Sequence, residues 1–298
     1  MFYIVESEKQ LNLLEKHSTQ GGYVEVISSH DLFHPKLTST IAVYIRPLNH
    51  KEGYIVPIEH DEGLNVPKER VSAILSKYSI LYVLDKKNLL YHFNIQHAID
   101  LSLLYSMTYF ERLEVPSKDN THNWFYNKYS QYSNINKLIP ISKLYEKCDE
   151  TYKYVEKFLG LAVPKGFEFY NTIATNVFFL IEQAGLGIYY ENFIRLFSPR
   201  DPKYNIQDNI VLTQYNLYNA TSRPTNAFNS VNFAAIPKDT EHRACFHPTG
   251  DFFVEFDFDG YHLRLLSDQI DYPLTDESAH KQLAKHYFGT EDITEEQY

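Results

Sequence analysis

The chain has 298 residues, 44% of them hydrophobic, with 25 Tyr and 20 Phe supplying much of that share, and a formal net charge of -10. That length fits one large domain or two modest ones, and the charge argues against a generic nucleic-acid coat while leaving room for a groove with locally basic walls. No apolar run has the length of a membrane span, Met1-Phe2-Tyr3-Ile4-Val5-Glu6 does not read as a signal peptide, and the two cysteines, Cys148 and Cys245, lack metal-ligand spacing and suggest a reducing compartment.

Residues 1–105 read as an α/β unit. A strand is predicted over 23–27, after Gly21-Gly22, and two more over 40–46 and 53–58, whose short connection makes them a hairpin. Pro67 stands at the first turn of a helix running through Ala73, Ile74 and Leu75, and residues 79–84 are a short buried strand.

Residues 106–165 are a transition. Trp124-Phe125-Tyr126-Asn127-Lys128-Tyr129 follows a polar loop and suits a base-stacking platform or, more commonly for such a run, aromatic packing beneath the loop. Leu144, Tyr145, Tyr152, Val155 and Phe158 fall at the apolar spacing of one helix over 141–159, which Gly160 and Pro164 end. A second helix spans 170–183, and a strand is predicted over 209–218. Residues 252–258 read as a strand rich in aromatic and branched residues, turning at Asp259-Gly260 into an apolar run at helical spacing (Leu263, Leu266, Ile270). Asp257 ends that strand. A carboxylate there is placed to hold a divalent metal, although carboxylates at strand ends more often shape the turn.

Thr221-Ser222-Arg223, then Asn229-Ser230-Val231-Asn232, then Arg243, then Asp257-Phe258-Asp259-Gly260-Tyr261-His262-Leu263-Arg264 form an ordered series. In order and spacing it resembles the palm of family A (Pol I-like) DNA polymerases of a divergent phage-type branch, where T-x-R, N-x-x-N, an arginine and D-Y-x-x-x-[EH]-L-R succeed one another. Leu180-Ile181-Glu182-Gln183-Ala184-Gly185-Leu186 is similar to the family's I-E-x-x-G-[LIV] element. A meander, a helix and another strand over the first hundred residues resemble the RNase H-like exonuclease domain that precedes such a palm. The resemblance implies an α/β fold: an exonuclease-type domain over 1–140, a helical connector with a vestigial thumb over 141–200, and the first part of an incomplete palm over 201–298. Residues 193–210, where a long thumb hairpin would stand, are too few and too Pro-rich for it.

The resemblance also implies roles. Asp257 would carry the first metal of a two-Mg2+ site, with the backbone carbonyl of Phe258 as a further ligand. His262 takes the steric-gate position, usually Glu, and with Phe258 would meet the nucleotide. Arg223 would reach the minor groove at the primer terminus, and Asn229, Asn232 and Arg243 would line the template-primer path. Read by themselves, Asn229 and Asn232 are turn-capping residues. The triphosphate-clamping helix and second metal carboxylate would come only after Tyr298. The implied protein is therefore the N-terminal segment of a split or truncated polymerase, with primer-template DNA, dNTP and a second polypeptide as partners, no membrane, and a cytoplasmic location in a host cell if phage-encoded. The competing reading is a catalytically inactive, polymerase-derived DNA-binding or assembly protein.

A stand-alone nuclease is disfavoured. The family's first exonuclease pair, D-x-E, reads here as Glu25-Val26-Ile27, the next aspartate falls near Tyr91-His92, and the last near Ser142-Lys143. Asp31 and Asp100 are displaced from those positions. The domain is expected to be a degenerate scaffold without proofreading.

Overall fold

The computed structural model describes residues 3–116, 120–129, 131–199, 202–217, 224–227, 231–255, 260–275 and 277–294. β1 (Tyr3–Ile4), β2 (Gly22–Ser28), β3 (Thr40–Pro47), β4 (Tyr54–Pro57), β5 (Leu81–Val83) and β6 (Ala98–Asp100) build a mixed sheet in the order β1-β4-β3-β2-β5-β6. β2, β3 and β4 are the antiparallel meander, β5 and β6 extend it in parallel from β2, and β1 runs parallel to β4 at the far edge. The meander, α2 and β5 follow the order expected from the sequence, whereas β1 and β6 were not expected.

All of β3 is buried, so the sheet is covered on both faces. Side chains leave a strand alternately to its two sides. Val24, Val43, Ile45 and Val56 therefore pack on one face with α1 (Glu8–Lys16) and α2 (Lys68–Leu75). Tyr23, Ile27, Ala42, Tyr44 and Ile55 pack on the other, beneath α4 (Leu101–Tyr109) and α6 (Ile141–Val155). Between β5 and β6 lies α3 (Lys86–His92), capped by the Asp85 carboxylate, which accepts from the Asn88 amide.

The aromatic run on α5 (Asn120–Tyr129) divides its work. Phe125 and Tyr126 pack into the α6-side core, whereas Trp124 is exposed beneath the Lys128 ammonium, 4.9 Å from its ring.

The helix predicted over 170–183 is interrupted. A π turn occupies Phe169–Ala174 before α7 (Thr175–Ala184) begins. Asn171 explains the widening: its amide donates to the Ala98 carbonyl, its Oδ1 accepts from the Asp100 N–H, and its own carbonyl accepts from Lys86 Nζ at 2.9 Å. A carbonyl drawn to a buried lysine makes room for an extra residue in the turn.

β7 (Leu186–Ile188) follows, then α8 (Tyr190–Phe197), β8 (Ile206–Gln207) and β9 (Ile210–Val211). Among the described residues α8 is the only α-helix between β7 and β9, in keeping with a reduced thumb. The strand predicted over 209–218 does not run through. Leu212 and Thr213 are buried between β9 and β10 (Tyr215–Asn216), and the Thr213 carbonyl meets His34 Nε2 at 3.1 Å. Turning two residues into the core breaks the ladder. β10 pairs instead with β11 (Thr225–Asn226) in a separate ribbon.

A short helix, α9 (Thr240–Arg243), leads into β12 (Phe246–His247), which completes a small antiparallel sheet ordered β12-β7-β9-β8. Gly187 on β7 is required there, because a Cβ would lie 2.4 Å from the His247 ring.

The chain divides into two units, Met1–Thr249, described so far, and Gly250–Tyr298. In the second, residues 252–255 are not a strand, contrary to the aromatic pattern; Phe252, Phe253 and Val254 are exposed and no ladder partner holds them among the described residues. α10 (Tyr261–Gln269) and α11 (Ala279–Phe288) follow, the former being the predicted apolar helix. Gly260 opens α10 in the left-handed region (φ 58°), where a Cβ would also sit 2.8 Å from Ala279 Cβ. Arg264 ties α10 to the turn before α11 by donating to the Thr275 and Glu277 carbonyls at 3.1 and 3.2 Å.

Candidate nucleic-acid site

Asp257, Phe258, Arg223 and Asn229 lie outside the described residues. The other three expected site residues are placed. Asn232 is exposed at the start of a 3-10 turn over Phe233–Ala235, and only its carbonyl caps, accepting the Ala235 N–H at 3.1 Å. Its neighbours Val231 and Phe233 pack on the small core of Ile188, Phe193, Val211 and Cys245. Arg243 is exposed at the end of α9, two residues before Cys245 of that same core. Both polar residues thus project from segments anchored on one cluster. His262 is exposed on the first turn of α10, its ring 5.6 Å from that of Tyr261.

The pocket beside β2 lies among the described residues. A cavity of about 350 Å³ is lined by Glu25, Ser28, His30, Asp31, Asp85, Asn88 and Lys147, among others. Glu25 projects from β2 on the α6 side, between Tyr23 and Ile27, and accepts from the Tyr23 hydroxyl at 3.1 Å. Ile27 is buried in the core and offers no oxygen. Asp31, just past the strand, accepts from Asn136 Nδ2 and from Lys147 Nζ, both at 2.9 Å.

The Lys147 ammonium pairs with Asp31 at the rim of this pocket. Burial raises the Glu25 carboxyl above the usual range, Lys147 opposes that, and Asp31 reinforces it. Burial pulls Lys147 down, but its attraction to Asp31 and Glu25 outweighs this and holds the ammonium above the ordinary lysine range. Burial and the Glu25 charge push the Cys148 thiol well up, so it is inert.

Other positions assigned from the sequence lie elsewhere. His92 is buried and bonded to Thr40 Oγ1 at 3.0 Å, and Lys143 pairs with Glu146 on the surface of α6. Asp100 caps α4 by accepting the Leu103 N–H and also takes the Lys86 N–H, each at 2.9 Å. The lysine that pairs with Asp31 is Lys147, of which nothing was expected from the sequence. Its one local signal is its place on α6 next to Cys148, at the edge of the stripe Leu144, Tyr145, Cys148, Tyr152 facing the sheet.

Glu182, of the I-E-x-x-G-like element, is buried in a pair with Lys87 and accepts the Tyr215 N–H at 2.6 Å. A second cavity of about 230 Å³ adjoins, lined by Tyr91, Arg112, Tyr215, Asn226 and, in common with the first, Asp85, Asn88 and Gln214. Among the described residues no group of three or more His, Cys, Asp or Glu side chains is arranged to hold a metal ion, and no helix is long and apolar enough to cross a membrane.

No protein-family model matches the chain, and no curated protein does. Among solved structures, the chain is similar to the POL domain of Pol1 from M. smegmatis, determined in complex with DNA primer-template and dNTP: the TM-score is 0.61 at 12% identity, over 99% of this chain and 69% of that one. The chain shares a polymerase-domain fold. Weaker similarity extends to the Nibbler EXO domain of Aedes aegypti (TM-score 0.31, 15% identity, 53% of this chain and 88% of that one). It extends also to the catalytic core of RRP6 from Trypanosoma brucei (TM-score 0.27, 13% identity, 53% of this chain and 51% of that one).

Proposed function

We propose that the chain is the N-terminal segment of a family A, phage-type DNA polymerase and contributes the first metal carboxylate and the primer contacts to template-directed DNA synthesis. One observation supports the reading above all: the chain is similar in fold, over 99% of its length, to a POL domain, and its sequence carries the polymerase-like series from Arg223 to Arg264 in order. The proposed division is an exonuclease-like domain over 1–140, a connector over 141–200 and the start of a palm over 201–298.

Asp257 and the Phe258 carbonyl would hold Mg2+. A carboxylate and a carbonyl are hard oxygen donors, the type this ion takes, and the bound ion would supply charge stabilisation for phosphoryl transfer. Arg223 would dock the primer end, Asn229, Asn232 and Arg243 would track the template-primer, and His262 would limit the sugar at the nucleotide. The triphosphate clamp and the second carboxylate would come from further polymerase residues, on this polypeptide or on a second one. The buried Ile27, which offers no oxygen, and the Lys147–Asp31 pair support synthesis without proofreading.

The test is primer extension by the purified chain mixed with a second chain bearing those later motifs. Template-directed extension is expected from the mixture and none from either chain alone. Asp257→Ala should lower turnover by about 10³-fold or more while leaving DNA affinity nearly unchanged. Full activity in Asp257→Ala would overturn the assignment. DNA binding with no extension under any pairing would favour the inactive, DNA-binding alternative.

A further inference from the structure

We propose that the outward face of α5, built on Trp124, Lys128 and Tyr132, is a docking site for single-stranded nucleic acid, with bases stacked on the rings and a phosphate on the ammonium. The proposal rests on the reading of the chain as one that handles nucleic acid, but on none of the palm residues.

α5 is pinned from one side. Phe125 and Tyr126 pack into the α6-side core, and the Tyr126 hydroxyl accepts the Asp31 N–H at 2.6 Å and donates to Asn136 Oδ1 at 3.3 Å. Residues four apart share a helix face, so Trp124 and Lys128 stand together away from that anchor. A turn closed by the Tyr132 N–H on the Tyr129 carbonyl, at 3.0 Å, carries the spacing on to Tyr132. Trp124 is 52% exposed and Tyr132 48%, so neither ring serves only the core. Tyr129 joins them into a row, its ring centroid 6.1 Å from each.

The charge around the rings selects the occupant. Lys128 Nζ lies 4.9 Å from the centre of the Trp124 ring and 5.2 Å from that of Tyr129, and it has no ion-pair partner among the described residues. From Asn120 to Tyr145 the sequence holds no Asp or Glu, in a chain whose net charge is -10. The other lysines of that stretch are engaged, Lys137 with Glu59 and Lys143 with Glu146. Lys128 is therefore left for a phosphate. An arriving base can take the indole face that the ammonium covers, while the ammonium swings on its flexible stem to the backbone. Rings for the bases and a cation for the phosphates hold a strand without reading its sequence. Paired bases in a duplex present no free face to such a row.

Trp124 is the chain's one tryptophan, so its emission reports on this face alone. The full chain is titrated with a short deoxythymidine oligomer, following Trp124 emission and, on a labelled oligomer, anisotropy. Saturable quenching is expected, and a blunt duplex should leave the emission unchanged. Trp124→Ala should weaken binding roughly 5- to 100-fold by anisotropy, and Trp124→Phe, which keeps a ring, much less. Lys128→Gln should lower the slope of log affinity against log salt by about 0.7, whereas Lys128→Arg should keep it. If Trp124→Ala does not fold, Lys128→Gln and Tyr132→Ala, which keep the reporter, decide by their weaker quenching. Binding without quenching, undiminished binding by Trp124→Ala, or equal quenching by the duplex overturns the proposal. So does an emission indifferent to the oligomer but shifted by a hydrophobic dye, which would assign the face to an apolar protein partner. Primer extension without quenching would sink this proposal alone, and quenching without extension the polymerase reading alone.

Discussion

The Glu182 carboxylate on α7 is buried against the Lys87 ammonium on α3, joining the helix after the π turn to the helix between β5 and β6 of the six-stranded sheet. The same carboxylate takes the Tyr215 N–H, and the same ammonium donates to the Tyr215 carbonyl, so both groups also hold the start of β10. Glu182→Ala would strand a buried charge and should cost about 3–5 kcal/mol in a urea melt. Lys87→Met with Glu182→Gln removes both charges and keeps an acceptor for Tyr215. That pair should lose much less than Glu182→Ala alone; an equal loss would mean that the ion pair is not what holds this joint.

Acid should loosen the fold through two histidines. Burial depresses His34 and His92 from 6.5 to about 4 in the folded chain. A depressed folded value means stability that is present above about pH 6.5 and lost as pH falls toward 4. Each ring contributes about 3 kcal/mol over that window. Stability measured by urea titration between pH 7.5 and 4 should fall accordingly, and His92→Gln should flatten the curve. An unchanged slope in that variant would remove His92 from the account.

No metal-dependent 3′-to-5′ degradation of single-stranded DNA is expected from the pure chain. Ile27 offers no ligand, Asp100 is committed to two backbone N–H groups, Lys147 pairs with Asp31, and Glu25 accepts from Tyr23. Degradation that disappears with Glu25→Ala would contradict this.

The Gly250–Tyr298 unit should bind a hydrophobic dye. Phe252, Val254, Leu266 and Ile270 are more than half exposed, and Tyr287 is 82% exposed. Leu266→Asp with Ile270→Asp should reduce the fluorescence markedly. A dye-silent wild type at high concentration would show that these side chains are covered.

His262→Ala should relax rejection of ribonucleotides in the reconstituted polymerase more than it slows deoxynucleotide addition. Its exposed place on the first turn of α10 leaves the ring available to a sugar. The ratio of rNTP to dNTP incorporation is the measurement, and an unchanged ratio would remove the gate role.

The sheet was legible because its alternation is local. Tyr23, Glu25 and Ile27 share a face whatever lies above them, and the meander follows from three short runs and their spacing. The π turn was not legible, because its cause is Lys86 reaching Asn171 across 85 residues. The break at Leu212 and Thr213 likewise depends on His34, 179 residues away. Within the pocket beside β2, the absence of an oxygen donor at Ile27 could be read directly. The Lys147 partner of Asp31 could not, because a lysine on an amphipathic helix looks like any solvated one until the strand beneath it is known.

The long separation between Asp31 and Lys147 also orders events during synthesis. Translation at about 5–20 residues per second puts roughly 6–23 s between the emergence of one and the other. Through that interval the nascent meander lacks α6, and α4 alone can cover the face carrying Tyr23 and Ile27. Docking of α6 therefore completes the burial of that face and brings Lys147 to Asp31 in a single step. A ribosome-stalled chain ending before residue 141 should be far more sensitive to protease than one that includes α6.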